Sequence, residues 1–293
     1  MKRKGGQAAD SSEIGGPQPS PYPGVDATTA SWAGDPAFPG AARRLAANLL
    51  AASERDERLG AVFKDGGRYL TALFAAFLDV SGGLTQAGLK QICGASGYVS
   101  PGRARALLGF MAHLGYLEEQ AGAWRTTPAF MAAWRGYTQA ALEAAAMLAP
   151  ETAPLIARLE DPDCFRLFLG IQAQRLFAAA GMTRERPALM RVFVERYAGS
   201  QLLWTFLVSG AGPDFPWRGW AEISMSGVAA RFDVSRMHVR RLIETAVREG
   251  LLDHERGRVR ATALFRDTVR PFFAFQLAEL NATAAATLAA FRP

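Results

Sequence analysis

The chain has 293 residues, 49% of them hydrophobic, which is enough to bury two cores of ordinary size, so we expect two domains. A formal net charge of +6 favours a polyanionic partner such as nucleic acid, although charge alone establishes none. The two cysteines form no disulfide or zinc pattern and no apolar run is long enough to span a bilayer, which favours a cytoplasmic protein.

The first 39 residues differ in composition from the rest of the chain. Residues 1–39 are rich in Gly, Pro and Ser and show no apolar periodicity. Such a segment buries too little apolar surface to repay the entropy of ordering. We therefore predict a disordered N-terminal tail over 1–39, whose basic residues are more typical of a solvated terminus than of phosphate contacts.

From residue 41 onward the chain is predicted to be mainly helical, and it contains an internal repeat. A shift of 135 residues aligns 98–130 with 233–265 without a gap. Ten of the 33 aligned pairs are identical: Val99/Val234, Ser100/Ser235, Arg105/Arg240, Leu107/Leu242, Gly115/Gly250, Leu117/Leu252, Gly122/Gly257, Arg125/Arg260, Thr127/Thr262 and Phe130/Phe265. We infer a duplicated unit with a boundary near Pro150, giving one domain over 40–150 and another over 151–293.

The second copy predicts two helices separated by a tight turn. A short helix carrying Val228 and Ala229 ends at Asp233, and the next helix begins after the N-cap Ser235 and ends at Gly250. The predicted buried stripe of this next helix consists of Val239, Leu242, Ala246 and Val247.

Each copy then continues into a small hairpin and a long helix. Gly122 and Gly257 mark the predicted hairpin turns. Long helices are predicted over 128–148 and 262–291. In the first copy, Pro101 stands in the first helical turn, a position that suits proline.

The stretch "VAARFDVSRMHVRRLIETAVREGLL", residues 228–252, resembles the winged helix-turn-helix of bacterial transcription regulators. It is similar to MarR-type proteins in its long flanking helices, and the resemblance covers about 40 residues in each copy. It implies a mainly α fold of tandem winged helix-turn-helix domains, each with a three-helix core and a small β-hairpin wing. The first copy departs from the pattern, since "GASGYVSPG" lengthens its turn and Ala104 and Ala106 replace larger residues.

The resemblance implies that the helix after Asp233 enters the major groove of DNA. The residues expected to read guanine edges are Arg236, Arg240 and Arg241. Those expected to contact phosphates are Ser235 and His238 from the same turn. The hairpin residues expected to clasp the DNA backbone or the adjacent minor groove are Arg256, Arg258 and Arg260.

Whether the first copy also binds DNA is left open by the sequence. Its equivalent residues are Arg103, Arg105 and Arg125, while Glu118 and Glu119 in its hairpin region repel phosphates. Two like units in one chain can read a pseudo-palindrome as an intramolecular pseudo-dimer, or the protein can form a homodimer that uses only the second copies.

The sequence bears on two further roles, effector binding and catalysis. The segment 212–222 sets Phe215, Trp217 and Trp220 beside Arg218, which favours packing of a loop over a pocket for a small-molecule effector. The three histidines show no metal-ligand spacing, and nucleophile and phosphate-loop motifs are missing, so we expect no enzyme, no metal and no cofactor. The alternative function is a winged-helix protein–protein interaction module of a larger assembly without direct DNA binding.

Overall fold

The computed structural model describes residues 27–181, 186–210 and 215–291, and within them the chain is mainly helical with two small antiparallel sheets. The chain begins with helices α1 (Ala27–Gly34), α2 (Phe38–Arg55) and α3 (Glu57–Val62). The first copy consists of α4 (Gly66–Val80), α5 (Gln86–Ser96), α6 (Pro101–His113), β1 (Leu117–Gln120), β2 (Ala123–Thr126) and α7 (Pro128–Ala145).

A helical linker leads from the first copy to the second. It contains a 3₁₀ helix (Pro150–Thr152), α8 (Pro154–Arg158), α9 (Pro162–Gly181) and a π-helical segment (Met190–Val194). The second copy consists of α10 (Gly199–Ser209), β3 (Ala221–Glu222), α11 (Met225–Arg231), α12 (Arg236–Arg248), β4 (Leu252–Glu255), β5 (Arg258–Ala261) and α13 (Ala263–Ala290). Within the described ranges, no helix combines the length and apolar character that a bilayer span requires.

Part of the predicted disordered tail is folded. Helix α1 packs against α13, and the guanidinium of Arg270 donates to the carbonyl oxygen of Ala33 at 2.5 Å. Phe38, at the start of α2, is fully buried with its ring edge-on to Phe215. The prediction of disorder is therefore wrong for 27–39, because partners far along the chain bury the few aromatic residues of this segment. Residues 1–26 lie outside the described part of the chain.

The two copies share their helix caps. The hydroxyl oxygens of Ser100 and Ser235 accept from the backbone N–H groups three residues later, at 3.3 and 3.1 Å, and start α6 and α12. The Thr127 and Thr262 hydroxyls likewise cap α7 and α13. Each N-cap satisfies one backbone donor that the first helical turn leaves unpaired, and the equal spacing confirms the predicted starts of these helices.

The turns of the two copies also share their backbone conformations. Gly115 and Gly250 end α6 and α12 with φ values of 73° and 71°, the left-handed conformation that glycine adopts without strain. Both hairpin turns, 121–122 and 256–257, have positive φ at both residues, as a two-residue turn between twisted strands requires.

A third extended segment completes the sheet of each copy. In the second copy the strand order is β3-β5-β4, with Ala221 opposite Val259. In the first copy a single residue, Leu84, pairs with Trp124 on β2. Each copy therefore has the element order helix, extended segment, two helices, hairpin and long helix.

Two helices outside the copies, α2 and α9, each pack against both of them. Helix α2 lies against α7 and also against α10 of the second copy, whereas α9 lies against α13 and also against α4 of the first. Buried apolar side chains from Phe38 to Ala284 form one continuous core. Both predicted domains contribute to this core, and their predicted boundary near residue 150 coincides with the 3₁₀ helix. The division into 40–150 and 151–293 stays a prediction.

Candidate nucleic-acid interface

Helix α12 has one buried face that fixes its orientation. Val239, Leu242, Ile243 and Ala246 are each at most 3% exposed, and they recur at the three- and four-residue spacing of a helix side. Val247, predicted to belong to this stripe, is 39% exposed, and Ile243 takes its place in the core. That part of the prediction is wrong: Val247 lies one turn beyond Ile243, near the end of α12, and its side chain is exposed.

The opposite face of α12 is exposed and mainly basic. Arg236, Arg240 and Arg241 project from its first two turns, as the sequence predicts. The guanidinium groups of Arg236 and Arg241 form no hydrogen bond or ion pair with any residue that the structure describes. Met237, which the sequence analysis did not single out, lies among them and is 51% exposed. Its position three residues before Arg240 and four before Arg241 places it on the same face.

One acidic residue lies on this face and pairs with an arginine. The Nε of Arg240 is 2.7 Å from Oε1 of Glu244, one turn further along α12. Both side chains are about half exposed, at 60% and 49%. An exposed pair of this kind contributes only about 0.3–0.5 kcal/mol, so a phosphate or a base edge can replace Glu244 at little cost.

His238 is held by the protein itself. Its Nε2 lies 2.7 Å from the carbonyl oxygen of Tyr197, and its ring stands edge-on to the Tyr197 ring. Because a carbonyl can only accept, Nε2 carries the proton in this contact. The carbonyl oxygen of Tyr197 therefore competes with the phosphate that His238 was predicted to contact. Through this contact the ring joins the start of α12 to the segment before α10. Ser235, also predicted to contact phosphate, uses its oxygen for the N-cap but is exposed.

The hairpin of the second copy carries a cluster of arginines around an indole. The guanidinium groups of Arg258 and Arg260 lie 5.6 and 5.0 Å from the ring centre of Trp220, within the range of cation–π contacts. Arg260 also donates twice to Asp253, at 2.7 and 3.0 Å. Arg256 occupies the turn and its side chain is 86% exposed. Trp220 therefore packs against the hairpin and contacts two of the arginines that were predicted to reach DNA.

The other aromatic residues of this loop are part of the core. Phe215 is 6% and Trp217 is 3% exposed. The Trp217 ring packs against Phe206 and, edge-on, against Phe265. This confirms packing as the role of these two residues, in preference to an effector pocket built from the loop.

The corresponding surface of the first copy is largely neutralised. Nη2 of Arg103 lies 2.7 Å from Oδ1 of Asp65, which is only 1% exposed. Arg125 pairs with Asp79 at 3.1 Å. Arg105 is exposed on α6, in the position equivalent to Arg240. Of the three predicted DNA contacts in this copy, two guanidinium groups are therefore bound to acids that the local sequence pattern did not indicate as partners.

The residues brought together are basic and hydrogen-bonding groups rather than metal ligands. Across the described ranges, no three His, Cys, Asp or Glu residues are grouped in a way that holds a metal ion. Comparison with known protein families, curated proteins and solved structures finds no match to this chain.

Proposed function

We propose that the protein is a sequence-specific DNA-binding transcription regulator, built from tandem winged helix-turn-helix units, that reads the major groove with α12. The observation that carries this proposal is the exposed face of Arg236, Met237 and Arg241, which lies opposite the buried stripe of α12. Two of these side chains are guanidinium groups without an internal partner among the described residues.

The position of this face suits a groove-binding helix. An α-helix with its side chains is about 10–12 Å across and the major groove is about 12 Å wide. The exposed arginines lie in the N-terminal turns, which is the part of a recognition helix that contacts base edges. The hairpin around Arg256 projects from the next element along the chain and supplies charges for the DNA backbone.

We further propose that the first copy contributes mainly to packing. Arg103 and Arg125 are bound to Asp65 and Asp79, and moving either arginine to contact phosphate takes one ion-pair partner from its acid. One chain then offers one strong recognition helix, and a two-fold operator requires a homodimer.

Met237 is the observation that favours the alternative function, a protein–protein interaction module. An exposed apolar side chain on a recognition face suits a protein surface as well as a thymine methyl group. The surrounding arginines favour DNA, because the cores of protein interfaces are depleted in charged residues.

Gel retardation with random genomic fragments tests the proposal. At about 50 mM salt, where phosphate contacts are strongest, the purified protein is expected to retard fragments, and repeated selection is expected to enrich one sequence. If no fragment is retarded at this salt concentration, the interaction-module alternative replaces the regulator.

A further inference from the structure

A cavity of about 230 Å³ lies where the two copies meet. Its walls come from α2, α4, α7, α9, the π-helical segment, α10 and α13. Most of the lining side chains are apolar, among them Leu45, Leu70, Leu203, Trp204, Phe272 and Leu280. The cavity is thus a product of the packing between copies, and neither copy forms it alone.

Two buried amides line this cavity without full hydrogen bonding. Gln172 is 8% exposed, and its Oε1 has no hydrogen-bond partner among the described residues. Oε1 of Gln276, on α13, is buried and equally unpartnered within the described part of the chain. Since a buried acceptor without a donor is unfavourable, a ligand that donates a hydrogen bond here removes that cost.

The charged groups of the wall are compensated. Oδ1 of Asp65 binds Arg103, while its buried Oδ2 lies 3.7 Å from Nε of Arg68 and has no hydrogen-bond partner among the described residues. Glu279 binds Arg175 through two hydrogen bonds of 2.9 Å. Burial raises the pKa of Tyr137, which also lines the cavity, so its hydroxyl stays neutral. The wall therefore offers no uncompensated positive charge to an anion and no uncompensated negative charge to a cation.

We propose that this cavity binds an uncharged aromatic molecule with one hydrogen-bond donor, such as a fused heteroaromatic ring with an N–H group. A cavity of about 150 Å³ accommodates benzene, so about 230 Å³ accommodates roughly nine or ten non-hydrogen atoms. The apolar walls contact the ring, and the donor bonds to the free carbonyl oxygen of Gln172 or Gln276.

The residues at one end of the cavity connect it to both helix-turn-helix units. Asp65, a wall residue, holds Arg103 on α6. Its neighbour Lys64 donates from Nζ to the carbonyl oxygen of Phe232, in the turn just before α12. Lys64 also accepts, through its own carbonyl oxygen, from the N–H of Ala198 at 2.9 Å. A ligand that displaces this wall therefore shifts both α6 and α12.

We infer that the ligand regulates the interface described above, and this second step rests on the proposed DNA binding. Coupling between two sites typically changes affinity about 5- to 150-fold. Because both α6 and α12 are attached to the wall, we expect an occupied cavity to change DNA affinity at least fivefold.

Calorimetric titration of the full chain with three ligands of equal size tests the site. Indole, indene and benzoate each have nine non-hydrogen atoms, but only indole combines a donor with zero charge. Indole is expected to bind with a Kd below about 1 mM and about tenfold more tightly than indene, whereas benzoate is expected to bind more weakly than both. Equal affinities for indole and indene, or tightest binding of benzoate, overturn the assigned ligand class.

A variant with Gln172→Met and Gln276→Met tests whether the two amides cause the preference for a ligand with a hydrogen-bond donor. Methionine preserves side-chain length without the amide, so folding is retained, and circular dichroism checks this. The variant is expected to bind indole and indene equally; a preserved tenfold preference overturns the assignment of the ligand's donor to these two amides.

DNA binding is then measured with and without saturating indole. A change of fivefold or more supports the coupling, and unchanged affinity overturns it. If the protein binds indole selectively but retards no DNA, the site stands and the proposed function fails. If it binds DNA but not indole, the proposed function stands and the site is overturned.

Discussion

The double substitution Arg240→Ala with Arg241→Ala separates recognition from stability. Both side chains are exposed on α12, so their removal creates no cavity. The stability lost is that of the exposed pair with Glu244, about 0.3–0.5 kcal/mol. Alanine is also a better helix former than arginine, so the midpoint of urea unfolding is expected to stay within the error of the measurement.

The expected loss in specific binding is much larger. Each arginine that pairs with a guanine contributes about 1–3 kcal/mol of discrimination, so removing two costs about 2–6 kcal/mol, or roughly 30-fold to 10⁴-fold in Kd. Fluorescence anisotropy measures this with the selected duplex and with a scrambled duplex of equal composition. The variant is expected to lose most of its preference for the selected duplex and to keep only the part that Arg236 supplies.

A matched control removes the same charge elsewhere. The double substitution Arg158→Ala with Arg166→Ala takes two exposed arginines from α8 and α9 and lowers the net charge equally. This control is expected to keep its preference for the selected duplex. The account of α12 is refuted if the variant of Arg240 and Arg241 keeps its preference, or if the control loses as much.

Three other substitutions have distinct expected outcomes. Glu244→Gln releases Arg240 and removes the acid from the face, so we expect several-fold tighter binding of any duplex at low salt in the same anisotropy assay. Arg103→Ala leaves buried Asp65 with one hydrogen-bond donor fewer, so urea unfolding is expected to show a loss of about 1–3 kcal/mol with DNA affinity near that of the wild type. Arg256→Gly removes the strain of a left-handed residue with φ of 47°, so we expect a gain of about 0.5–1 kcal/mol in the free energy of unfolding. The slope of DNA affinity against salt concentration is expected to fall by the contribution of about one phosphate contact. A loss of stability in this last variant contradicts the strain argument.

Local structure was predictable where short-range chemistry determines it. Ser235 and Thr262 start helices because their hydroxyls cap free N–H groups, and Gly250 and Gly257 turn the chain because they adopt positive φ. These signals lie within a few residues of the features that they determine, and their repetition after 135 residues is what predicts a duplicated unit.

Contacts between distant segments were not predictable from such signals. The partner of Arg103 is Asp65, 38 residues earlier, and the partner of His238 is Tyr197, 41 residues earlier. No periodicity links these positions, so the sequence placed both side chains on a DNA-facing surface. Helix α1 was missed for the same reason, since α13 supplies its packing surface.

The cavity between the copies is another feature that depends on contacts between distant segments. Gln172 lies on α9 and Gln276 on α13, and each is an ordinary polar residue of a helix when viewed alone. Only the packing of α9 against α13 and α4 brings them to one cavity. Conversely, the position of Met237 could have been predicted from the sequence, because its spacing from Arg240 and Arg241 already places it on their face.

Methylation interference at guanine N7 tests the central claim most directly, since this atom lies in the major groove and accepts one of the two hydrogen bonds from an arginine. The selected duplex is methylated at random, and bound and free fractions are compared for the wild type and for the Arg240→Ala, Arg241→Ala variant. We expect methylation of specific guanines to prevent binding of the wild type, and we expect the variant to tolerate methylation at those of them that Arg240 and Arg241 contact. Wild-type binding that tolerates methylation at every guanine N7 contradicts major-groove reading by α12.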